Sequence, residues 1–192
     1  MLGDKKSKNL KDELILAGIN EINTHGVSAF SIRRVASECG VSCAAPYRDF
    51  KDKNGLIAAI IDYVNEKWAA RQEEILQSCG NSLREQIIEI SLGYIRFLME
   101  KPYFRSVLML KDEEFDNLYH KKRTQFGSLS QTLEHQLFEA SGFSEDVWKR
   151  KVLVFRTFIF GSLFLFDAGE FEYNETTMEY IRYTLNREFD VL

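Results

Sequence analysis

The side chains most capable of catalysis or metal binding are scattered along this sequence. Its three histidines, His25, His120 and His135, lie far apart, and an isolated histidine is more often solvated or buried than a ligand. The acidic residues between positions 112 and 116 fit a solvated loop better than a metal cluster. No nucleophile–base pair or phosphate-binding glycine loop is present. The pattern therefore predicts no enzyme, no metal and no cofactor.

The three cysteines, Cys39, Cys43 and Cys79, have neither the spacing of a metal site nor that of a disulfide framework. A reducing cytoplasm is the simplest compartment for such a chain, and no secretory signal opens it. Cys43 lies in a segment predicted to be exposed, so a redox-sensing role for this thiol is one alternative. An inert thiol is the more common case.

A different chemistry is concentrated in Ser31–Leu56, where basic, aromatic and hydroxyl side chains surround a short turn. Apolar residues follow Ser31 at helical spacing, and Ser31 is placed to cap that helix. Gly40 can turn the chain without steric cost, and a short helix over Cys43–Arg48 follows. Two short helices joined this way predict a helix-turn-helix, whose second helix enters the major groove of DNA. The alternative is a structural hairpin with its aromatic rings in the core.

Charge is distributed unevenly along the chain, whose net charge is −4. The first 55 residues carry nine Lys/Arg and seven Asp/Glu, whereas the remainder carries 16 and 22. Such a molecule turns its N-terminal end toward a polyanion. Lys5, Lys6 and Lys8 are predicted to form a mobile basic arm that adds phosphate or minor-groove contacts.

The elements that must position this segment are helical throughout, so the fold is predicted to be all-α with about nine helices. Ser82 and Thr176, each followed three residues later by Glu, predict capping boxes at two later helices. The last two helices are expected over Glu145–Ala168 and Thr177–Phe189. The apolar run Val152–Phe166 is too short for a membrane span and contains Arg156 in its interior, so it favours an interface between subunits.

The head resembles the TetR family of one-component transcriptional regulators over about Leu10–Leu56. The match rests on an ordered series that contains a turn glycine, a capping serine, an aromatic pair and a lysine. In this sequence the series reads Gly26, Phe30-Ser31-Ile32-Arg33, Val35-Ala36, Gly40-Val41-Ser42, Tyr47-Arg48, Phe50, Lys53 and Leu56. Residues Phe155–Gly161 are also similar to a subgroup with a tryptophan-histidine-glycine pattern, although phenylalanine replaces the first two residues here.

The resemblance implies a division into a DNA-binding domain, 1–55, and a helical domain for ligand binding and dimerisation, 56–192. It implies phosphate contacts for Tyr47 and Lys53, backbone or groove-edge contacts for Ser31 and Arg33, and exposed base or phosphate contacts in the reading helix. The expected DNA-binding residues are Ser31, Arg33, Ser42, Cys43, Ala44, Tyr47, Arg48 and Lys53. Asp49 stands where the family commonly has histidine. Pro46 is expected to cost one hydrogen bond of the reading helix.

The resemblance implies that the larger domain binds a small molecule, and its many aromatic residues suit an apolar or aromatic one. For each of these residues the alternative is an ordinary place in the core. The candidate lining residues are Tyr94, Phe97, Leu98, Tyr103, Phe104, Met109, Phe126 and Phe155. Gly161 and Ser162 permit close helix approach, so a homodimer through the last two helices is predicted. Double-stranded operator DNA is the other expected partner, and no membrane is expected.

These inferences together predict a ligand-released repressor that binds a palindromic operator as a dimer. Two alternatives are a helical small-molecule enzyme or carrier with a vestigial head, and a regulator that senses oxidants through Cys43.

Overall fold

A computed structural model describes residues 2–108 and 128–190, and within these ranges all regular secondary structure is helical. The helices of these ranges, in chain order, are α1 (Leu2–His25), α2 (Ile32–Glu38), α3 (Ala45–Phe50), α4 (Lys53–Ser78), α5 (Leu83–Glu100), α6 (Pro102–Leu108), α7 (Ser128–Ser141), α8 (Glu145–Asp167) and α9 (Glu175–Glu188). The all-α prediction is confirmed. None of these described helices has the length and apolar character needed to cross a membrane.

The chain forms two compact units. The first contains the described residues up to Lys67 and the segment that begins at Lys101, so it holds α1, α2, α3, the first half of α4, and α6. Helix α1 packs against α2, α3 and α6. The core of this unit is aliphatic, and its completely buried side chains include Leu14, Leu56, Ile60 and Val64. Burial of such residues supplies most of the stabilisation of a small helical unit.

The second unit contains Trp68–Glu100 and the described residues from Ser128 onward. Helix α5 is buried on nearly every side and packs against α7, α8 and α9, so it is the central helix of this unit. Trp68 of α4 contacts the rings of Tyr94 and Phe97 at centroid distances of 4.9 and 5.3 Å. Three ion pairs fasten α5 to α9 and its C-terminal turn: Arg84–Asp190, Glu89–Arg182 and Arg96–Glu175.

Several expectations about helix ends are corrected by the structure. The last helix begins at Glu175 and not at Thr177, because the side chain of Asn174 caps it by accepting the Thr177 N–H at 2.9 Å. The predicted cap at Thr176 is therefore wrong. The basic residues Lys5, Lys6 and Lys8 lie within α1, so the expected arm outside the first helix is also wrong.

Candidate nucleic-acid interface

The turn between α2 and α3 has the backbone that its sequence predicts. Gly40 has φ +65°, in the left-handed region that glycine occupies without strain. The Val41 N–H donates to the Ala36 carbonyl at 3.0 Å, and the Gly40 N–H to the Ser37 carbonyl at 3.0 Å. These two bonds close the end of α2 and redirect the chain within three residues.

Helix α3 begins two residues later than predicted, at Ala45. Pro46 therefore occupies the second helical position, where its missing N–H interrupts no helical hydrogen bond. The expected loss of a bond at Pro46 is wrong for this reason. Ser42 does not cap the helix with its side chain either; its carbonyl accepts the Ala45 N–H at 2.9 Å, and the N-cap residue is Ala44.

The buried face of α3 consists of Ala45, Pro46 and Phe50, and Phe50 is a core residue as expected. The remaining residues of the segment face solvent, and they include most of the predicted contacts. Exposed among these are Arg33, Ser42, Cys43, Ala44, Tyr47 and Arg48, whereas Ser31 and Lys53 are half-buried. The exposed surface Ser42–Arg48 thus consists of five residues, Ser42, Cys43 and Ala44 before the helix and Tyr47 and Arg48 on it, while Ala45 and Pro46 of the same segment are buried.

The passage from α3 into α4 depends on Gly55, which the sequence reading did not single out. A Cβ atom at this position would lie 1.8 Å from the Phe50 carbonyl oxygen, so only glycine fits. Asp52 caps α4 by accepting the Gly55 N–H at 2.8 Å. Lys53 consequently stands in the first turn of α4, where the helix dipole favours an anion. The sequence signal for this close approach was a glycine in the first turn of a long helix.

The cysteines of the head differ in environment. Cys43 is exposed and Cys39 is half-buried, and both are free thiols. Burial, followed by the charges of Glu38 and Glu13, raises the pKa of the Cys39 thiol, which disfavours the reactive thiolate. Among the described residues, no group of three or more His, Cys, Asp or Glu is arranged to hold a metal ion.

Comparison with known protein families identifies the head. Residues 14–60 match the model for "Bacterial regulatory proteins, tetR family". The head of this chain is therefore that of the TetR family.

Relatives and solved structures are similar to this chain over nearly its whole length. The nucleoid occlusion factor SlmA of Vibrio atlanticus is 26% identical over 188 residues, covering 92% of both chains. A TetR family transcription regulator from Marinobacter aquaeolei has a TM-score of 0.74 at 21% identity, over 99% of this chain and 97% of that one. A TetR variant from Acinetobacter baumannii in complex with minocycline has a TM-score of 0.55 at 16% identity, over 92% of each chain. The helical architecture of both units is thus shared with TetR regulators.

The predicted ligand-binding residues of the chain are not all neighbours. Tyr94, Phe97, Leu98 and Phe155 belong to the second unit, whereas Tyr103 and Phe104 belong to the first. Met109 and Phe126 lie outside the described residues. Tyr94 and Phe97 pack around Trp68, whose buried indole N–H has no hydrogen-bond acceptor in the described part of the chain. A buried donor without an acceptor invites a ligand or water oxygen.

Phe155 lines a cavity of about 30 Å³ in the second unit. Its walls come from α5, α7, α8 and the end of α9, and most are apolar. The polar groups on it are Ser91, Glu134, Lys151 and Arg156. Burial raises the pKa of Glu134 even though Arg156 lies 3.5 Å away, so this carboxylate is poorly stabilised in its charged form. The sequence did not predict these charged groups at a cavity, because residues that pair there, such as Glu134 and Arg156, lie on different helices.

Proposed function

We propose that this protein is a dimeric, ligand-released repressor that binds a palindromic operator. The observation that carries the proposal is the exposed surface Ser42–Arg48 on a helix-turn-helix of the TetR family. TetR regulators bind DNA as dimers, and the family and fold do not favour the enzyme, carrier or oxidant-sensor alternatives. A DNA-bound role would place the protein in the cytoplasm.

In the proposed complex, α3 lies in the major groove and its two ends hold phosphates. Tyr47, which is 48% exposed, can donate its hydroxyl to one phosphate, and Arg48 supplies a cation beside it. Lys53 and the first N–H groups of α4 would bind another phosphate. Ser31 and Arg33 at the start of α2 would hold the opposite strand. Ser42, Cys43 and Ala44 offer one hydroxyl and small apolar surfaces, so shape and thymine methyl groups would contribute to specificity.

Binding to the DNA upstream of the protein's own gene tests this proposal in a gel-shift titration. We expect specific shifts whose affinity falls as salt rises. Tyr47→Ala and Lys53→Ala should each weaken binding about tenfold, as the loss of a charge-assisted hydrogen bond predicts. Lys149→Ala is the matched control, since Lys149 is an exposed lysine of α8 paired with Glu145. Weak binding that is equal for every DNA sequence would refute the operator claim.

The proposed dimer forms through α8 and α9, which carry an unusual amount of exposed apolar surface. Leu153, Phe160 and Phe164 of α8 are 66%, 40% and 68% exposed, and they lie on one face at spacings of seven and four residues. Tyr180 and Tyr183 of α9 are 66% and 63% exposed. Apolar surface of this extent on two neighbouring helices fits a partner better than water. A second copy is the occupant that the family's dimeric state supports.

The proposed effector is a small, largely apolar molecule with at least one hydrogen-bond acceptor. Its acceptor would bind the indole N–H of Trp68, between Tyr94 and Phe97, which belong to the predicted ligand set. The minocycline complex of the Acinetobacter protein supports a small-molecule effector for this fold. The chain has two tryptophans, so in Trp148→Phe the fluorescence reports Trp68 alone. An effector that releases DNA without changing this fluorescence would refute the Trp68 site.

Similarity to a nucleoid occlusion factor favours a second candidate function. The similarity extends over 92% of both chains and therefore includes the C-terminal unit, not the DNA-binding head alone. A factor of this kind would bind many chromosomal sites, whereas a local repressor would bind few. Chromatin immunoprecipitation with sequencing separates the two. Occupancy confined to one or two promoters would contradict the second candidate, and dozens of dispersed sites would contradict the first.

A further inference from the structure

The head contains a buried carboxylate whose function the DNA contacts leave unexplained. Glu21 of α1 is 4% exposed, although it is charged and close to a surface proposed to bind a polyanion. An unpaired charge in such a place is strongly destabilising. The role of the Glu21 carboxylate can therefore be inferred from the groups that pair with it.

Within the described ranges, the partners of Glu21 come from the end of α1 and from the start of α2. The Ser31 N–H donates to Glu21 Oε1 at 3.0 Å, and Arg34 Nε donates to Oε1 and Oε2 at 2.9 and 3.1 Å. Arg34 Nη2 makes a further short contact with Oε1. His25 Nδ1 lies 3.1 Å from Oε2. This bidentate geometry is the strongest form of an arginine–carboxylate pair.

Arg34 extends the same network to the loop that precedes α2. Its Nη2 also donates to the Ala29 carbonyl, and its own N–H donates to the Ser31 hydroxyl, which caps α2, at 3.5 Å. Glu21 and Arg34 thus hold Ala29, Ser31 and the first turn of α2 in one arrangement. Arg33 and Arg34 are both exposed, and the side chain of Arg34 is 48% exposed, but the guanidinium of Arg34 is engaged by Glu21 and by the Ala29 carbonyl.

We propose that Glu21 is a positioning residue for DNA binding: through Arg34 and the Ser31 N–H it sets the start of α2 so that Ser31 and Arg33 meet phosphate. This inference rests on the proposed contacts of Ser31 and Arg33. It assigns different roles to the two adjacent arginines: Arg33 binds phosphate, and Arg34 positions the start of α2. It also explains why a carboxylate is retained in a head that binds an anion.

The direction in which DNA affinity changes when Glu21 is substituted separates a positioning role from a purely electrostatic one. Removing a carboxylate from the head should tighten DNA binding if only long-range charge matters. Glu21→Gln should instead weaken operator binding about tenfold, because one charge-assisted phosphate contact is misplaced. Glu38→Gln is the matched control: it removes the same charge from the same head, but Glu38 makes only an exposed bond with Asn20, at 3.0 Å. Its operator affinity should be unchanged or slightly higher.

Salt dependence distinguishes positioning from a loss of folded protein. A lost phosphate contact lowers the slope of log K against log salt by about 0.9, whereas a smaller folded fraction leaves the slope unchanged. Arg34→Lys provides a second variant that keeps the positive charge and the fold while losing the bidentate pair, and it should show the same reduced slope. Both are measured by fluorescence anisotropy well below the unfolding temperature.

The possible failures are separable. If the natural protein binds its operator and Glu21→Gln and Arg34→Lys bind as tightly with the same slope, the positioning role is wrong and the DNA-binding function stands. Weaker binding with an unchanged slope would also overturn the positioning role, since it would indicate stability alone. If the natural protein binds no specific DNA, the proposed function itself fails.

Discussion

Phe164→Glu provides the most direct test of the proposed dimer, because its cost can be worked out from exposure. Phe164 is 68% exposed in the isolated chain. A fully buried phenylalanine removes roughly 200 Å² from water, so covering this side chain in a dimer would bury about 140 Å². At about 25 cal/mol per Å², this burial contributes about 3.5 kcal/mol per copy and about 7 kcal/mol per dimer as an upper bound. Not all of this area converts into affinity.

The variant should therefore dissociate readily, with a dimer dissociation constant raised more than about 100-fold even if only half of that energy is realised. Sedimentation velocity over a dilution series measures the change, and circular dichroism checks that each chain remains folded. Leu16→Glu is the matched control, because Leu16 is 48% exposed on α1 and lies far along the chain from α8 and α9. A Phe164→Glu protein that remains as dimeric as the natural one would refute an interface containing this face of α8.

Five further substitutions test the local physics of the fold by urea unfolding followed by circular dichroism. Gly40→Ala introduces a side chain at φ +65° with no atom within 4 Å, so it should cost only the backbone strain of about 1–2 kcal/mol. Gly55→Ala forces a Cβ against a backbone oxygen at 1.8 Å and should lower the free energy of unfolding by at least about 3 kcal/mol. Equal losses of stability in Gly40→Ala and Gly55→Ala would contradict this account. Although burial opposes it, hydrogen bonding to Arg34 leaves the pKa of Glu21 lowered from 4.5, so its stabilisation is present above that pH and is lost as pH falls below it. Glu21→Gln should abolish that part of the pH dependence, and an unchanged pH profile would count against it. Asn174→Ala should cost about 1 kcal/mol as the loss of an N-cap, whereas Thr176→Ala should cost almost nothing.

The helices of the head were predictable because their signals are local. Ser31 caps α2 with its side chain, and Gly40 ends it in the left-handed region, as the residue types indicate. The apolar spacing of α4 correctly identified Ile57, Ile60 and Trp68 as buried. The errors also have local causes. Thr176 was predicted to cap α9 because Glu179 follows it three residues later, whereas the residue that caps the helix is Asn174, two positions earlier.

The candidate site was predictable only in part. The exposed surface Ser42–Arg48 follows from a helix whose apolar residues are few and unambiguous. The pairing of Glu21 with Arg34 was not foreseen, because the two residues lie 13 positions apart and on different helices. The same holds for Glu134 and Arg156, which are 22 positions apart on α7 and α8.

The sequence by itself determined the helical class, the turn at Gly40 and the family of the head, because periodicity, capping and glycine conformation act within a few residues. Tertiary structure alone decided the rest. It paired Arg34, one of two adjacent exposed arginines, with the buried carboxylate of Glu21, and it required glycine at position 55 through a carbonyl five residues earlier. It also left Trp68 buried without an acceptor in the described ranges. These features depend on which groups meet when helices pack, and the spacing of residues along one helix does not contain that information.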